Sequence, residues 1–462
     1  MDSINQLDVD TIVAIATAPG RGGIGIIRLS GSQASAIAER VCNRQLTPRY
    51  AQFTDFKDTS NSNLDSGIAI YFPGPGSFTG EDVVELQAHG GPIILDLIMR
   101  ECITLGARNA RPGEFSERAF LNNKMDLSQA EAIADLINSN TEQAARNATR
   151  SLQGEFSNKI HALVQSVTAL RVYVEAAIDF PEEEIDFIGD GIVRERLISI
   201  IDQLESVQRR ARQGSLIREG MKLVITGKPN AGKSSLLNAM SGQNRAIVTS
   251  IEGTTRDILH EHINIDGMPV NIVDTAGLRT SDDEIEQEGI RRAYQEMCSA
   301  DRILLIIDNS EQPISDLNLS ELLPLSLDDD RSIANIPVTV IHNKCDLDGI
   351  PPKLDNTSDN PIIYLSAKTG DGIELLFNHL KQLMGYENNT EGQFSARRRH
   401  LNALNESRGF LDAGLAQLDG DGAGELLAED LRHCQNSLGD ITGVITSDEL
   451  LGEIFSNFCI GK

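Results

Sequence analysis

The apolar positions change their spacing three times along the chain. From residue 11 to about 120, short β-branched runs (TIVAIATA, GIGIIRLSG, SGIAIYF, VVELQAHG) alternate with two stretches at helical spacing, near 32–42 and 92–104. Runs of this kind predict strands, and their mixture with helices predicts a compact α+β unit. From Asp126 the period lengthens: LSQAEAIADLINSNTEQAARNATRSLQGEF and NKIHALVQSVTALRVYVEAAIDF predict long packed helices. A strand-rich segment then opens at Met221 and lasts to about Met384, after which residues 396–456 are helical again. Because compact domains often have neighbouring termini and accept insertions, the pattern predicts one helical domain interrupted by an α/β domain. The expected bounds are 1–123 for the α+β domain, 124–215 and 385–462 for the two helical parts, and 216–384 for the insertion.

Composition narrows the class. At 462 residues the chain exceeds what one core ordinarily serves. No apolar run approaches the roughly 18 residues of a membrane span, and the start MDSINQLDVD lacks a signal peptide's basic and apolar regions. A cytoplasmic protein is expected, and six scattered cysteines with no CxxC pair fit a reducing compartment better than a disulfide framework or zinc ribbon. The net charge of −27 repels phosphate backbones, so any nucleic-acid contact requires a local basic patch or a helper protein. The acidic run FPEEEIDF (180–187) reads as a solvated loop.

The clearest chemistry lies in LVITGKPNAGKSSLLNAM, where Gly227–Ser234 fits GxxxxGK[ST] between an apolar strand and a helix. The backbone N–H groups of such a loop surround phosphates, Lys233 adds a point charge, and the Ser234 hydroxyl can ligate magnesium. Further on, Asn343-Lys344-Cys345-Asp346 follows the apolar strand IPVTVIHN. A carboxylate at Asp346 accepts from the paired N–H donors on one edge of guanine, a pair that adenine lacks. Ser366-Ala367-Lys368 follows the strand PIIYLS. In this order the motifs resemble those of P-loop GTPases, and Gly253-Thr254-Thr255-Arg256-Asp257 and Asp274-Thr275-Ala276-Gly277 resemble the two switch loops. The resemblance implies that Thr255 reaches magnesium and the Gly277 backbone the γ-phosphate. An Asp266-Gly267 turn before the second loop predicts a hairpin.

Leu278 follows DTAG, where many small GTPases carry the glutamine that orients water. Two substitutes suggest themselves: a monovalent cation held by Asn230 and carbonyls of Thr249–Thr254, and a carboxylate of SDDEIEQEG, Glu286, acting through a bridging water. A solvated switch face is the alternative for Glu286. Near the N-terminus, Gly20–Gly25 matches GxGxxG, but IIRLSG continues as strand and no acid stands at Cys42–Pro48, which argues against a dinucleotide site.

Taken whole, TIVAIATAPGRGGIGIIRLSG, FTGEDVVELQAHGG, ARPGEFSERAFLNNKMDLSQAEAI, YVEAAIDFPEEEIDF, the GTPase motifs and the ending FSNFCIGK resemble the tRNA-modification GTPases of the TrmE/Era-like P-loop family over essentially the entire chain. The resemblance implies a homodimer joined through N-terminal folate-binding domains, with GTPase domains that meet when GTP and K+ bind. It implies K+ ligands at Asn230, Thr249, Ile251 and Thr254. Nucleotide and ion contacts would come from Asn230–Ser235 (Ala231, Gly232, Lys233, Ser234 and Ser235 included), from Thr249–Thr255 (Ser250, Ile251, Glu252 and Gly253 included), from Asp274–Gly277, and from both base loops. It further implies a flavoprotein partner, MnmG (GidA), which carries the FAD and most of the tRNA contact. The two proteins would together add an aminomethyl or carboxymethylaminomethyl group to the wobble uridine. A reduced folate, 5-formyl- or methylenetetrahydrofolate, would supply the one-carbon unit from a site at Arg28, Glu85, Lys124 and Lys462. Read without the family, Arg28 and Glu85 fit a strand-face ion pair and Lys124 a solvated loop lysine.

The ending CIGK has a C-a-a-X outline, but acids precede it instead of a polybasic stretch, and no nearby Cys or His completes a metal set. In the family's arrangement this tail reaches the folate pocket, which would place the Cys459 thiol near the one-carbon donor, and from that location alone a nucleophilic role is a hypothesis. The competing class, a regulatory or ribosome-assembly GTPase, would carry an RNA-binding unit such as a KH domain, and acidic helices stand in that place.

Overall fold

The structure, a computed structural model, describes residues 10–139, 141–179, 191–243, 259–266, 268–274, 300–308, 336–356, 360–383, 394–420, 424–444, 448–456, 458 and 461. The GTTRD loop, Thr275–Gly277, Glu286, FPEEEIDF, Cys459 and Lys462 lie outside the described residues, and of Asp274 only the backbone is described. The chain divides into two compact units, one of residues 1–134, 151–204 and 403–462, the other of residues 135–150 and 205–402.

The first unit opens with β1 (Ile12–Ile15), β2 (Gly22–Ser30), α1 (Ala34–Cys42), β3 (Gln52–Lys57), β4 (Asn63–Phe72), β5 (Val83–Gly90), α2 (Pro92–Thr104), β6 (Arg108–Asn109) and α3 (Glu114–Leu121). The strands form one sheet in the order β3-β4-β5-β2-β1-β6. The residues IIRLS after the GxGxxG segment are strand, as expected, and β2 begins within that segment at Gly22. Its glycines serve sheet packing: a Cβ at Gly25 would meet Leu95 at 2.5 Å, and one at Gly90 would meet the Gly22 carbonyl at 2.6 Å. Side chains such as Ile27, Leu29, Val84 and Leu86 point to one face and pack with Ile37, Val41 and Ile98 of α1 and α2. On the opposite face Ile12 and Ala14 meet Ala110 and Phe115, with Phe78 against them.

Helices α4 (Leu127–Ile137), α5 (Glu142–Leu152), α6 (Glu155–Asp179) and α7 (Ile192–Glu219) follow. The buried positions of α6 (Phe156, Ile160, Leu163, Val167, Leu170 and Val174) alternate steps of four and three, the period that holds an apolar seam against a partner helix.

The second unit contains β7 (Met221–Gly227), α8 (Lys233–Gln243), β8 (Leu259–Ile265), β9 (Met268–Asp274), β10 (Arg302–Asp308), β11 (Val338–Asn343), β12 (Lys353–Asp355), β13 (Ile362–Tyr364) and α9 (Ile373–Leu383). Their sheet order is β12-β13-β11-β10-β7-β9-β8, parallel except at the two edge strands. Being covered on both faces, β7, β10 and β11 are apolar almost throughout. The β8–β9 hairpin turns at Asp266, which has a left-handed φ of 51°.

The chain ends in α10 (Arg398–Asp419), α11 (Gly424–Thr442) and α12 (Asp448–Ser456). The seam of α6 is answered by Leu427, Leu431, Cys434, Leu438 and Ile441 on α11, against which it packs. Ile454 and Phe455 of α12 and the following Phe458 pack with Leu127 and Ala130 of α4.

Within the second unit Asp135 gathers chain that is distant in sequence. Its Oδ1 accepts from Arg218 Nε and Arg397 Nη2, each at 2.8 Å, and its Oδ2 from the Ser395 hydroxyl at 2.7 Å. These bonds tie residue 135 to chain within 205–402, the stretch with which residues 135–150 share a compact unit.

Candidate functional site

Three loops leave the carboxyl ends of the parallel strands β7, β11 and β13, the edge at which open α/β sheets bind ligands. The first runs from Gly227 to the start of α8 at Lys233. Gly227 has φ +148° and stands so close to β10 that a Cβ would meet the Ile306 carbonyl at 2.2 Å. Asn230 and Gly232 have φ +63° and +97°, which folds the loop back on itself ahead of the helix. Lys233 Nζ donates to the Gly227 and Lys228 carbonyls at 2.7 and 2.9 Å, across the mouth of the loop. The Ser234 and Ser235 side chains are exposed in the first turn of α8. This is a cradle of backbone donors with an ammonium and a free hydroxyl beside it, a fit to nucleotide phosphates and magnesium.

Asn343, the last residue of β11, binds the loops together. Its buried Nδ2 donates to the Ala231 carbonyl at 2.8 Å, and its Oδ1 accepts from Ala367 N at 2.9 Å. Gly232 must be glycine for this contact, since a Cβ there would fall 2.1 Å from Asn343 Nδ2. Lys344, at φ +67°, is ion-paired with Asp308 at the end of β10 (2.5 Å), while Asp346 is exposed. Ser366 is fully buried and shapes the third loop, its N–H donating to the Asp371 carbonyl at 2.9 Å and its hydroxyl accepting from Thr369 N at 3.3 Å. Ala367 is buried and Lys368 exposed. The structure therefore brings together Asn230–Ser235, Asn343–Asp346 and Ser366–Lys368. The sequence reading missed Asp308, although an acid closing the apolar run RILLII was a visible signal.

Behind these loops Arg302 donates to Thr339 Oγ1 at 2.6 Å, and His379 Nε2 lies 3.1 Å from the same hydroxyl. Burial, with the Arg302 charge adding to it, pushes His379 down to about 4.

A second constellation lies in the first unit. Arg28 and Glu85 are cross-strand partners on β2 and β5, with Nε and Nη2 of Arg28 at 3.0 and 2.8 Å from Glu85 Oε1. The guanidinium sits 5.7 and 5.8 Å from the ring centroids of Phe78 and Phe115. Its Nη1 donates to the Gly461 carbonyl at 3.3 Å, so the chain's tail reaches this pair. Lys124 caps the Pro75 carbonyl at 2.9 Å. It borders the same 73–82 segment that supplies Phe78, but no described contact joins it to Arg28.

Beside this region a cavity of about 360 Å³ is walled by Glu81, Glu114, Arg118 and Asn122, without Arg28 or Glu85. Burial alone would raise the Glu114 carboxyl. The Arg108 and Arg111 N–H donors and the Arg118 charge overcome it and hold the group at about 2.

Two family models match this chain, that of the GTP-binding protein TrmE N-terminus over residues 11–124 and that of the MnmE helical domain over residues 127–459. A tRNA modification GTPase MnmE of Marinomonas sp. (strain MWYL1) is 58% identical over 455 residues, 98% of each chain. The chain belongs to the MnmE family of tRNA-modification GTPases. Solved structures similar to it include the G domain of the T. maritima FeoB iron transporter (24% identical, 35% of this chain and 97% of that one, TM-score 0.25). Another is Aquifex aeolicus Era bound to GDP and AlF4− (24% identical, 41% and 66%, TM-score 0.26). Among the described residues no helix is long and apolar enough to cross a membrane.

Proposed function

We propose that this chain is a cytoplasmic, potassium-activated GTPase that works as a homodimer with the flavoprotein MnmG (GidA) to build the aminomethyl or carboxymethylaminomethyl group on the wobble uridine of certain tRNAs. The observation that carries the GTPase part is the pair of hydrogen bonds by which Asn343 donates to the Ala231 carbonyl and accepts from Ala367 N, joining phosphate loop and base loops at one sheet edge. In this reading the loop N–H groups and Lys233 hold the GTP phosphates, and Ser234 and Thr255 hold Mg2+. Asp346 takes the guanine edge, Asp274–Gly277 senses the γ-phosphate, and Asn230, Thr249, Ile251 and Thr254 would hold K+, whose charge would offset the negative charge that develops in the transition state. Glu286 orients the attacking water.

A reduced folate is assigned to the domain of residues 1–123, near Arg28, Glu85, Lys124 and Lys462, with Cys459 as the thiol beside the one-carbon unit. The closeness of Gly461 to Arg28 supports this by bringing the ends of the chain together. The remaining domain bounds are 124–215, 216–384 and 385–462.

The experiment is GTP turnover measured in matched sodium and potassium salts. It rises steeply in potassium and loses that response in Asn230→Ala; equal rates in both salts remove the cation from the mechanism. For the modification itself, mass spectrometry of tRNA from cells lacking the gene shows wobble uridine without its side group, and an unchanged nucleoside profile rejects the assignment.

A further inference from the structure

The stretch Asn43–Phe53 belongs to neither site. Between Cys42 and Thr54 it carries Arg44 and Arg49 and no acid, on a chain of net charge −27. Arg44, Arg49, Tyr50 and Phe53 are all exposed, Tyr50 to 63% and Phe53 to 72%. Phe53 lies on β3, the edge strand of the sheet, directly opposite the exposed Ile68 of β4.

The local backbone sets these side chains in place. Arg49 adopts φ +58°, a left-handed conformation uncommon for so large a side chain. Its N–H donates to the Tyr71 carbonyl at 2.7 Å and its Nη2 to the Gly76 carbonyl at 2.6 Å. Gly76 leaves the room, since a Cβ there would lie 2.5 Å from Arg49 Nη2. Arg44 Nη1 reaches only the Phe53 carbonyl, at 3.4 Å. Each guanidinium thus spends one donor on a backbone carbonyl and keeps others for a ligand. The nearby carboxylates are engaged elsewhere: Asp55 accepts from the Ser66 hydroxyl at 2.7 Å and Glu39 from Leu46 N at 3.0 Å.

Two exposed rings flanked by two guanidiniums without carboxylate partners match the chemistry of an unpaired nucleic-acid strand. Bases stack on aromatic faces and phosphates take the cations, whereas a duplex hides its base faces. An acidic molecule repels a polyanion everywhere except at such a local patch. We infer that the Arg44–Phe53 edge is a contact surface for a single-stranded segment of RNA, with bases on Tyr50 and Phe53 and phosphates on Arg44 and Arg49. The choice of RNA rests on the proposed role in tRNA modification.

The test uses the full-length protein and a labelled RNA hairpin with an unpaired loop, compared by fluorescence anisotropy with a fully paired RNA duplex over a range of salt. The hairpin binds more tightly than the duplex, and Tyr50→Ala and Phe53→Ala each weaken it roughly tenfold while GTP hydrolysis is unchanged. Arg44→Ala and Arg49→Ala each reduce the salt slope of binding by about 0.7. Hairpin affinity that is the same in all four variants overturns the inference. So does a change of mass by light scattering in the aromatic variants, which would make this edge an interface between copies of the chain. Variant-insensitive hairpin binding together with lost wobble modification in the deletion strain rejects this surface and leaves the proposed function standing. Variant-sensitive binding with unchanged nucleosides does the reverse.

Discussion

Asn343 is a single side chain on which two loops depend, and its loss is not a surface event. In Asn343→Ala the Ala231 carbonyl loses its amide donor and Ala367 N its acceptor. Each unmade buried hydrogen bond costs about 1–3 kcal/mol, enough to lower binding of a guanine-nucleotide analogue on the order of a hundredfold. Calorimetric titration checks this, and near-normal affinity would mean that the loops hold their shape without the bridge. At the same scale, Arg28 and Glu85 form the strand-face ion pair that they fit when read without the family. A carboxylate and a guanidinium already turned toward each other, with rings beside them, are also a preorganised pair for a polar heterocycle, so the two readings share one geometry.

Among elements, strands and helices with a clear period were legible: β5 spans Val83–Gly90 and α2 spans Pro92–Thr104, as the apolar spacing predicts. The sequence reading did not pick out β3 or α3. β3 alternates buried and exposed positions, but its buried set includes Gln52 and Thr54, which weakens the apolar signal. α3 buries Glu114 and Arg118, charges that look like surface until Arg108 and Glu81 supply their partners. The tail is an element of a similar kind, because what places it is contact and not period. Gly461 has φ +93°, and a Cβ would meet the Ile15 carbonyl at 2.5 Å. Gly461→Ala therefore displaces the tail from β1 and Arg28 at a cost of about 1–3 kcal/mol. The expected result is impaired tRNA modification with normal GTP turnover; full modification by nucleoside analysis would show that the tail's docking is dispensable.

For the whole molecule, acid acts unequally on the two units. His379, ordinarily near 6.5 and held at about 4 in the fold, is neutral there while the unfolded chain takes up a proton. Its contribution is fully present above 6.5 and is lost as pH falls toward 4. Glu114, ordinarily near 4.5 and held at about 2, contributes fully above 4.5 and loses that contribution only as pH falls toward 2. Scanning calorimetry at pH 7 and pH 5 should show the transition of the residue 205–402 unit, marked by its upward shift with GDP, falling more than the other. His379→Gln should narrow the gap, and an identical pH response in the variant would assign the loss to other groups.

The sequence by itself determined the GTPase motifs, their order along an α/β insertion and the helical periods around it. These follow from local rules, in which glycine permits the phosphate loop's backbone and apolar spacing selects strand or helix. Only the tertiary structure decided that Asp135 pairs with Arg218 and Arg397, that Asp308 faces Lys344, and that Gly461 lies on β1 beside Arg28. Those contacts join residues far apart in the chain. Their energy comes from pairing buried or half-buried charges and backbone groups, which no period along the sequence records.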